Sequence, residues 1–283
     1  MNQSQTYDAG WSKGSASPAA HAVPIVAEDE RQYSLVKILA IWAAAVIPMV
    51  VLGWVVAPLI GDRIDLGVGD ANREAFTRAG LLTIGLIWQF VLCMVIIFRE
   101  EGDLRWSTIR GRCWLNTPRD PKTGQPRARL WWWLVPLIVL FVALQGAPLD
   151  LPFIGEPDKY SFDKLMASDD RKADLEGAWH LLGLFLVLGI FNTILGEELL
   201  FRGILLPKMR GVFGKGDWIA NGVLFGLYHL HQPWGILKSM IDGVFCLAWP
   251  SRRFRSAWMG IIVHSSQTLF FAFIALGLVL GLA

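Results

Sequence analysis

Residues 189–207 read GIFNTILGEELLFRGILLP, an apolar run interrupted by Glu197, Glu198 and Arg202. An ionised side chain at bilayer depth costs about 2.5–3.5 kcal/mol on insertion scales, so each one needs a partner or a task. Glu198 and Arg202 are four residues apart with the acid N-terminal, the favourable orientation for an ion pair on one helical face. A structural pair that locks this helix accounts for both. Glu197 lies about 100° around the helix from Glu198, so the same arginine cannot hold both along one stripe. It is left for chemistry, or for a hydrogen bond to a neighbouring helix. Two histidines are its candidate partners. In NGVLFGLYHLHQPWG, His229 follows Phe225 by four residues, and the Gly222/Gly226 spacing permits close approach of another helix. In WMGIIVHSSQTLFF, His264 is followed three and four residues on by Gln267 and Thr268, along the same face. A single intramembrane histidine is usually a packed, hydrogen-bonded one. Depth joins the three. Glu197 is about 15 Å from Pro207, His229 about 18 Å from Asp217 and His264 about 12 Å from Ser256, each counted from the same membrane side at the helical rise.

A carboxylate and two imidazoles in a mostly dry cavity have the parts for hydrolysis by water. The carboxylate takes the proton, and the imidazoles position the water or stabilise the developing oxyanion. No serine or cysteine nucleophile is required. The HExxH zinc motif is absent, yet Glu197, His229 and His264 also form a His₂Glu donor set of the kind that holds catalytic zinc with an open position. The cofactor expectation is therefore none or one zinc ion. The metal-free version is preferred, because zinc would consume Glu197 and leave as base a Glu198 already committed to Arg202.

The spacing resembles that of the CAAX prenyl protease and bacteriocin-processing (Abi, CPBP) intramembrane proteases. Their EExxxR motif reads here Glu197-Glu198-Leu199-Leu200-Phe201-Arg202, and their FxxxH reads Phe225-Gly226-Leu227-Tyr228-His229. Their HxxxN reads His264-Ser265-Ser266-Gln267-Thr268, with Thr268 in the place of the amide and Gln267 one residue earlier. The resemblance covers about residues 177–283. It implies that Glu197 is the base, that His229 helps hold the water, and that His264 with Thr268 or Gln267 forms the oxyanion site. It further implies that Glu198 and Arg202 orient the active-site helix, and that the substrate is a peptide or protein, such as a C-terminal tail or a leader peptide. The family has been read both as metal-dependent and as a metal-free glutamate peptidase. Two other classes use the same residues: a non-catalytic membrane scaffold or bacteriocin-immunity factor, and a proton-coupled transporter. The transporter lacks support from repeated halves or paired broken helices.

The elements that must carry these residues are membrane helices. Of 283 residues, 54% are hydrophobic and only 18% charged, above the apolar share of a soluble domain. The formal charge of +2 is too small to indicate nucleic-acid binding. Fourteen tryptophans, mostly near the ends of apolar runs, suit the headgroup level. Three cysteines, Cys93, Cys113 and Cys246, are odd in number and predict free thiols. Apolar runs at 38–60, 79–98, 130–147 and 177–206 have spanning length, and shorter ones follow at 218–231, 236–249 and 257–282. The predicted fold is an all-α polytopic bundle of about seven or eight transmembrane helices. Residues 1–33 are expected to form a disordered cytoplasmic tail, and 34–283 one transmembrane domain whose part 177–283 bears the protease-like motifs. Within 236–249, Lys238 and Asp242 predict a one-turn ion pair. The 99–129 connection has eight basic and four acidic residues, whereas 149–176 has eight acidic and four basic. The first is expected in the cytoplasm with the N-terminus, in a multi-pass protein of the plasma (inner) membrane whose site is reached from the cytoplasmic side. Cysteines introduced singly at Ser107 and Ser168 should therefore label from opposite sides of sealed membranes; labelling from one side would overturn the orientation.

Overall fold

The structure is a computed structural model and describes residues 31–149 and 153–282. The tail expected over 1–33 lies, up to residue 30, outside the described residues. Five helices among those described are long and apolar enough to cross a membrane, and they support a multi-pass membrane protein. These are α1 (Leu35–Ile60) and α2 (Asp70–Glu101), then, after the short α3 (Trp106–Arg112), α4 (Ala128–Gln145), α5 (Trp179–Lys208) and, last in the chain, α8 (Trp258–Val279). Between α5 and α8 run α6 (Asp217–Tyr228) and α7 (236–254), which fall short of that standard. With 12 residues α6 is brief, and α7 bears Lys238, Asp242, Arg252 and Arg253. A lone bridge between Arg119 and Pro126 is the β pairing found among the described residues. The outer faces are as apolar as the core: Val139, Leu269, Phe270 and Phe273 are exposed, as a lipid-facing surface requires.

Backbone groups freed inside these helices find partners, because lipid supplies none. Pro48 lies inside α1 and cannot donate to Ala44; the Trp88 indole N–H of α2 donates to that carbonyl instead, at 2.9 Å. Helix α5 widens into π-helical turns at Phe191–Gly196 and Leu199–Leu205, on either side of Glu197 and Glu198. Carbonyls there are met from outside: Asn221 of α6 donates to Phe201 at 2.8 Å, and Arg112 of α3 donates to Gly203 and Ile204 at 3.3 and 3.4 Å. Arg112 is itself fixed by Glu100 (2.9 Å) and by the hydroxyl of Tyr33 (2.7 Å). Burial, reinforced by Glu100 against the pull of Arg112, raises the Tyr33 phenol above its ordinary range, so it remains a donor.

Helices α6 and α7 pack with almost no space between their backbones. A Cβ on Gly222 would lie 2.4 Å from the Val244 backbone nitrogen, and one on Gly226 would lie 2.7 Å from the Met240 Cα. The neighbour anticipated from the Gly222/Gly226 spacing is thus α7. Their far ends are joined by Arg252 Nε donating to Asp217 Oδ2 at 2.6 Å. Gly222→Ala should therefore lower stability in detergent by about 1–3 kcal/mol, as overpacking does. Gly183→Ala, with nothing within 4 Å of the added carbon, should raise it by about 0.5–1 kcal/mol. Unfolding monitored side by side checks the pair, and equal effects would refute the close approach.

Candidate active site

The two π-helical segments of α5 leave Glu197 and Glu198 between them, both buried, at 2% and 0% exposure. Glu198 Oε1 accepts from Arg202 Nη1 at 3.0 Å, with neither side chain exposed. The same oxygen accepts from His264 Nδ1 of α8 at 3.1 Å. Arg202 also donates to the Gly243 carbonyl of α7 at 3.3 Å, and its guanidinium lies 4.2 Å from the ring centre of Phe225 of α6. One pair thus touches three further helices. Gly260 makes this possible: a Cβ there would lie 2.7 Å from Glu198 Oε2. The edge of Phe225 meets His229 at 4.9 Å and His264 at 6.0 Å between ring centres, so the phenylalanine of the second motif spaces the two imidazoles.

Each histidine has one nitrogen committed. His229 Nδ1 faces the Phe225 carbonyl at 2.9 Å; a carbonyl only accepts, so Nδ1 holds the proton and Nε2 offers a lone pair. His264 Nδ1 donates to Glu198 and leaves Nε2 as the nitrogen open to a ligand. The Tyr228 hydroxyl hydrogen-bonds Glu197 and accepts from Gln89 Nε2 of α2 at 2.6 Å. Glu197 Oε2 has no partner. Glu197, His229 and His264 line one cavity of about 290 Å³.

The other expected site residues divide. Gln267 lines this cavity and donates to Gln145 Oε1 at 3.1 Å. Thr268 does not line it; its methyl carbon packs against Gly189, where a Cβ would come within 2.4 Å. Glu198 and Arg202 lie behind the cavity wall and hold His264 rather than lining it. Lys238 and Asp242 do not form the one-turn ion pair read from their spacing. Gln145, arriving from α4, stands between them: Lys238 Nζ donates to its carbonyl at 3.1 Å, and its side chain donates to Asp242 Oδ2 at 2.7 Å.

Three contributors were missed. Gln89 and Tyr228 are neutral, and the available signal was an uncharged polar group inside an apolar run. His231, also on the cavity wall, is buried and held through Nδ1 by the Tyr228 carbonyl at 3.3 Å. The three cysteines are buried free thiols off the cavity, and burial pushes the Cys113 thiol up to about 12. As for zinc, the donor types suit it, but their placement does not: among the described residues no three His, Cys, Asp or Glu side chains are grouped to hold one ion.

The cavity reaches toward one end of the bundle. Its wall includes Gln145 at the end of α4, and Gln232 and Gly235 in the turn between α6 and α7. That turn adjoins the connection after α4 through Trp234, stacked on Tyr160 at 6.4 Å. It adjoins α1 through the Trp54 indole, which donates to the Leu230 carbonyl at 3.0 Å. This is the end of the bundle with the acidic connection. Helix α6 stops at Tyr228, so His229 is at its terminus rather than part-way along a span.

An all-helical membrane bundle with a buried carboxylate–imidazole cluster is the class that fold and site define. Within it, residues 178–270 match the family model described as Rce1-like, type II CAAX prenyl endopeptidase Rce1-like. Over this part the chain is similar to that family, and the matched stretch includes Glu197, Glu198, Arg202, His229, His264, Gln267 and Thr268. No curated protein and no solved structure matches the chain.

Glu198→Gln should destabilise the fold by about 3–5 kcal/mol, because it leaves the Arg202 charge buried without its counter-ion. Unfolding in detergent measures this, and a loss below about 1 kcal/mol would show that the pair does not lock α5.

Proposed function

We propose that this protein is an intramembrane endopeptidase that hydrolyses a peptide bond with an activated water. The observation that carries the reading is Glu197 Oε2, a buried carboxylate oxygen without a partner, on the same cavity wall as two imidazoles whose Nδ1 atoms are already engaged. Tyr228, backed by Gln89, holds the other side of the carboxyl group. Oε2 then faces a water, which it deprotonates as the oxygen attacks the scissile carbonyl. His229 Nε2 accepts the second hydrogen of that water and aims its lone pair. His264, gripped by Glu198, acts as imidazolium; its Nε2–H donates to the oxyanion of the tetrahedral intermediate. The proton held by Glu197 passes to the leaving amine as the C–N bond breaks. Gln267 is the amide available beside His264, whereas Thr268 takes no part. Zinc would supply Lewis-acid activation of the water if bound, but the donor placement gives no step that uses it.

The protein is proposed to reside in the plasma (inner) membrane with seven helices spanning it, α6 and α7 included, and with its N-terminus in the cytoplasm. The cavity's extension to Gln232 and Gly235 supports entry from the opposite face. The substrate class is then a peptide or protein segment, a tail or leader, presented at that face. The packing of Thr268 on Gly189 favours one second reading, a non-catalytic scaffold that keeps the fold.

Purified protein should cut members of a quenched-fluorescence peptide library with and without a chelator. Glu197→Gln should cut none while unfolding at the same temperature as the native chain. Full activity in that variant would remove Glu197 as the base. Activity restored only by zinc, at about one ion per chain, would overturn the metal-free assignment.

A further inference from the structure

The same cavity is lined by a second polar cluster that the mechanism does not use. Asp242 is 3% exposed and lines the cavity; its Oδ2 is occupied by Gln145, but its Oδ1 has no partner. A buried carboxylate oxygen left unsatisfied is costly, which marks it as an acceptor for something the cavity admits. Lys238, one helical turn earlier and half-buried, lines the same wall and spends one N–H on the Gln145 carbonyl, leaving two donors. Gln145 is fixed in turn by Gln267, three residues after His264. These groups are therefore placed relative to the imidazole by hydrogen bonds through Gln145 to Gln267 and by the turn of α8 that carries both Gln267 and His264.

We infer that Lys238 and Asp242 form the subsite that grips the substrate's main chain: the Asp242 Oδ1 accepts a peptide N–H, and the Lys238 ammonium donates to a peptide carbonyl. This rests on the peptidase reading and adds the group recognised. The subsite sets an open acceptor oxygen beside a donor, so it suits a ligand that presents an N–H and a C=O together. A donor and an acceptor separated by one turn on a single helix face match the N–H and C=O that an extended peptide presents along one edge. At about 290 Å³ the cavity is at the small end of ligand sites, so it admits a short stretch of chain rather than a folded element. Because the contacts are to main-chain atoms, the subsite sets the register of the bond presented to Glu197, with little regard to side chains.

The test uses the full chain in detergent with Glu197→Gln, so that binding is read without turnover. The probe is a fluorescein-labelled peptide that the native protein cuts, together with versions in which each amide in turn is N-methylated. Asp242→Ala in this background should weaken binding about tenfold, the value of one hydrogen bond, and Asp242→Asn should lose as much, because its one oxygen is claimed by Gln145 and its NH2 then faces the peptide N–H. One N-methyl position should cost the same factor in the Glu197→Gln protein and nothing further once Asp242 is Ala. Should Asp242→Ala fail to fold, Lys238→Met against a thioamide scan of the same peptide gives the equivalent cycle for the carbonyl. Equal N-methyl losses in both backgrounds, with native hydrolysis intact, would overturn the subsite and leave the peptidase standing. A native protein that cuts no peptide removes the peptidase reading and the subsite with it.

Discussion

A guanidinium and a carboxylate, both at zero exposure inside a membrane bundle, set the terms for everything around them. The cost of taking two charges out of water is recovered only when geometry is close and the remaining hydrogen-bonding groups are served. Here Glu198 Oε1 serves both Arg202 and His264, Arg202 reaches the Gly243 carbonyl, and the ring of Phe225 covers the guanidinium. Each demand draws in a different helix: α8 through His264, α7 through Gly243, α6 through Phe225. The His264 imidazole is thus oriented by the same contact that makes the charge pair tolerable. Gly260 is the concession α8 makes, since any side chain there would displace the carboxylate.

The charged part of this arrangement was legible in the sequence because charge is rare in membrane helices and a four-residue spacing is unambiguous on one face. Glu198 with Arg202, and the approach of α6 to a neighbour at Gly222 and Gly226, follow from local spacing alone. What escaped was neutral or came from far away. Gln89 and Tyr228 are 139 residues apart and meet only once α2 and α6 are packed. The Lys238–Asp242 spacing suggested a local pair, but Gln145, from a helix more than ninety residues earlier, offered better-placed partners to both. Counting rise per residue treated His229 as part of a continuous span and missed that α6 ends at Tyr228. The stretch 178–270 that resembles a known family is also the stretch whose side chains build the cluster; the helices before it contribute Gln89, Gln145 and the wall at Met49, Leu82 and Leu86.

The cavity therefore has two polar sides with different origins. One is assembled around a buried charge pair, with the histidines fixed through Nδ1. The other is assembled around Gln145, whose side-chain amide donates to Asp242 and accepts from Gln267 while its main-chain carbonyl accepts from Lys238. Apolar residues, Phe141, Phe225 and Leu188 among them, complete the lining.

The wide turns of α5 have a consequence for inheritance. A π-helical turn is an α-helical one with an extra residue accommodated, so Leu199–Leu205 holds its side chains in a phase that ordinary helical counting does not give. Losing a single codon between Glu198 and Arg202 would let the helix tighten and leave Arg202 three residues from Glu198 in place of four. Every residue type could survive such a lesion, but the geometry by which Arg202 reaches Glu198, the Gly243 carbonyl and the ring of Phe225 at once would not. For this helix the number of residues matters as much as their identity.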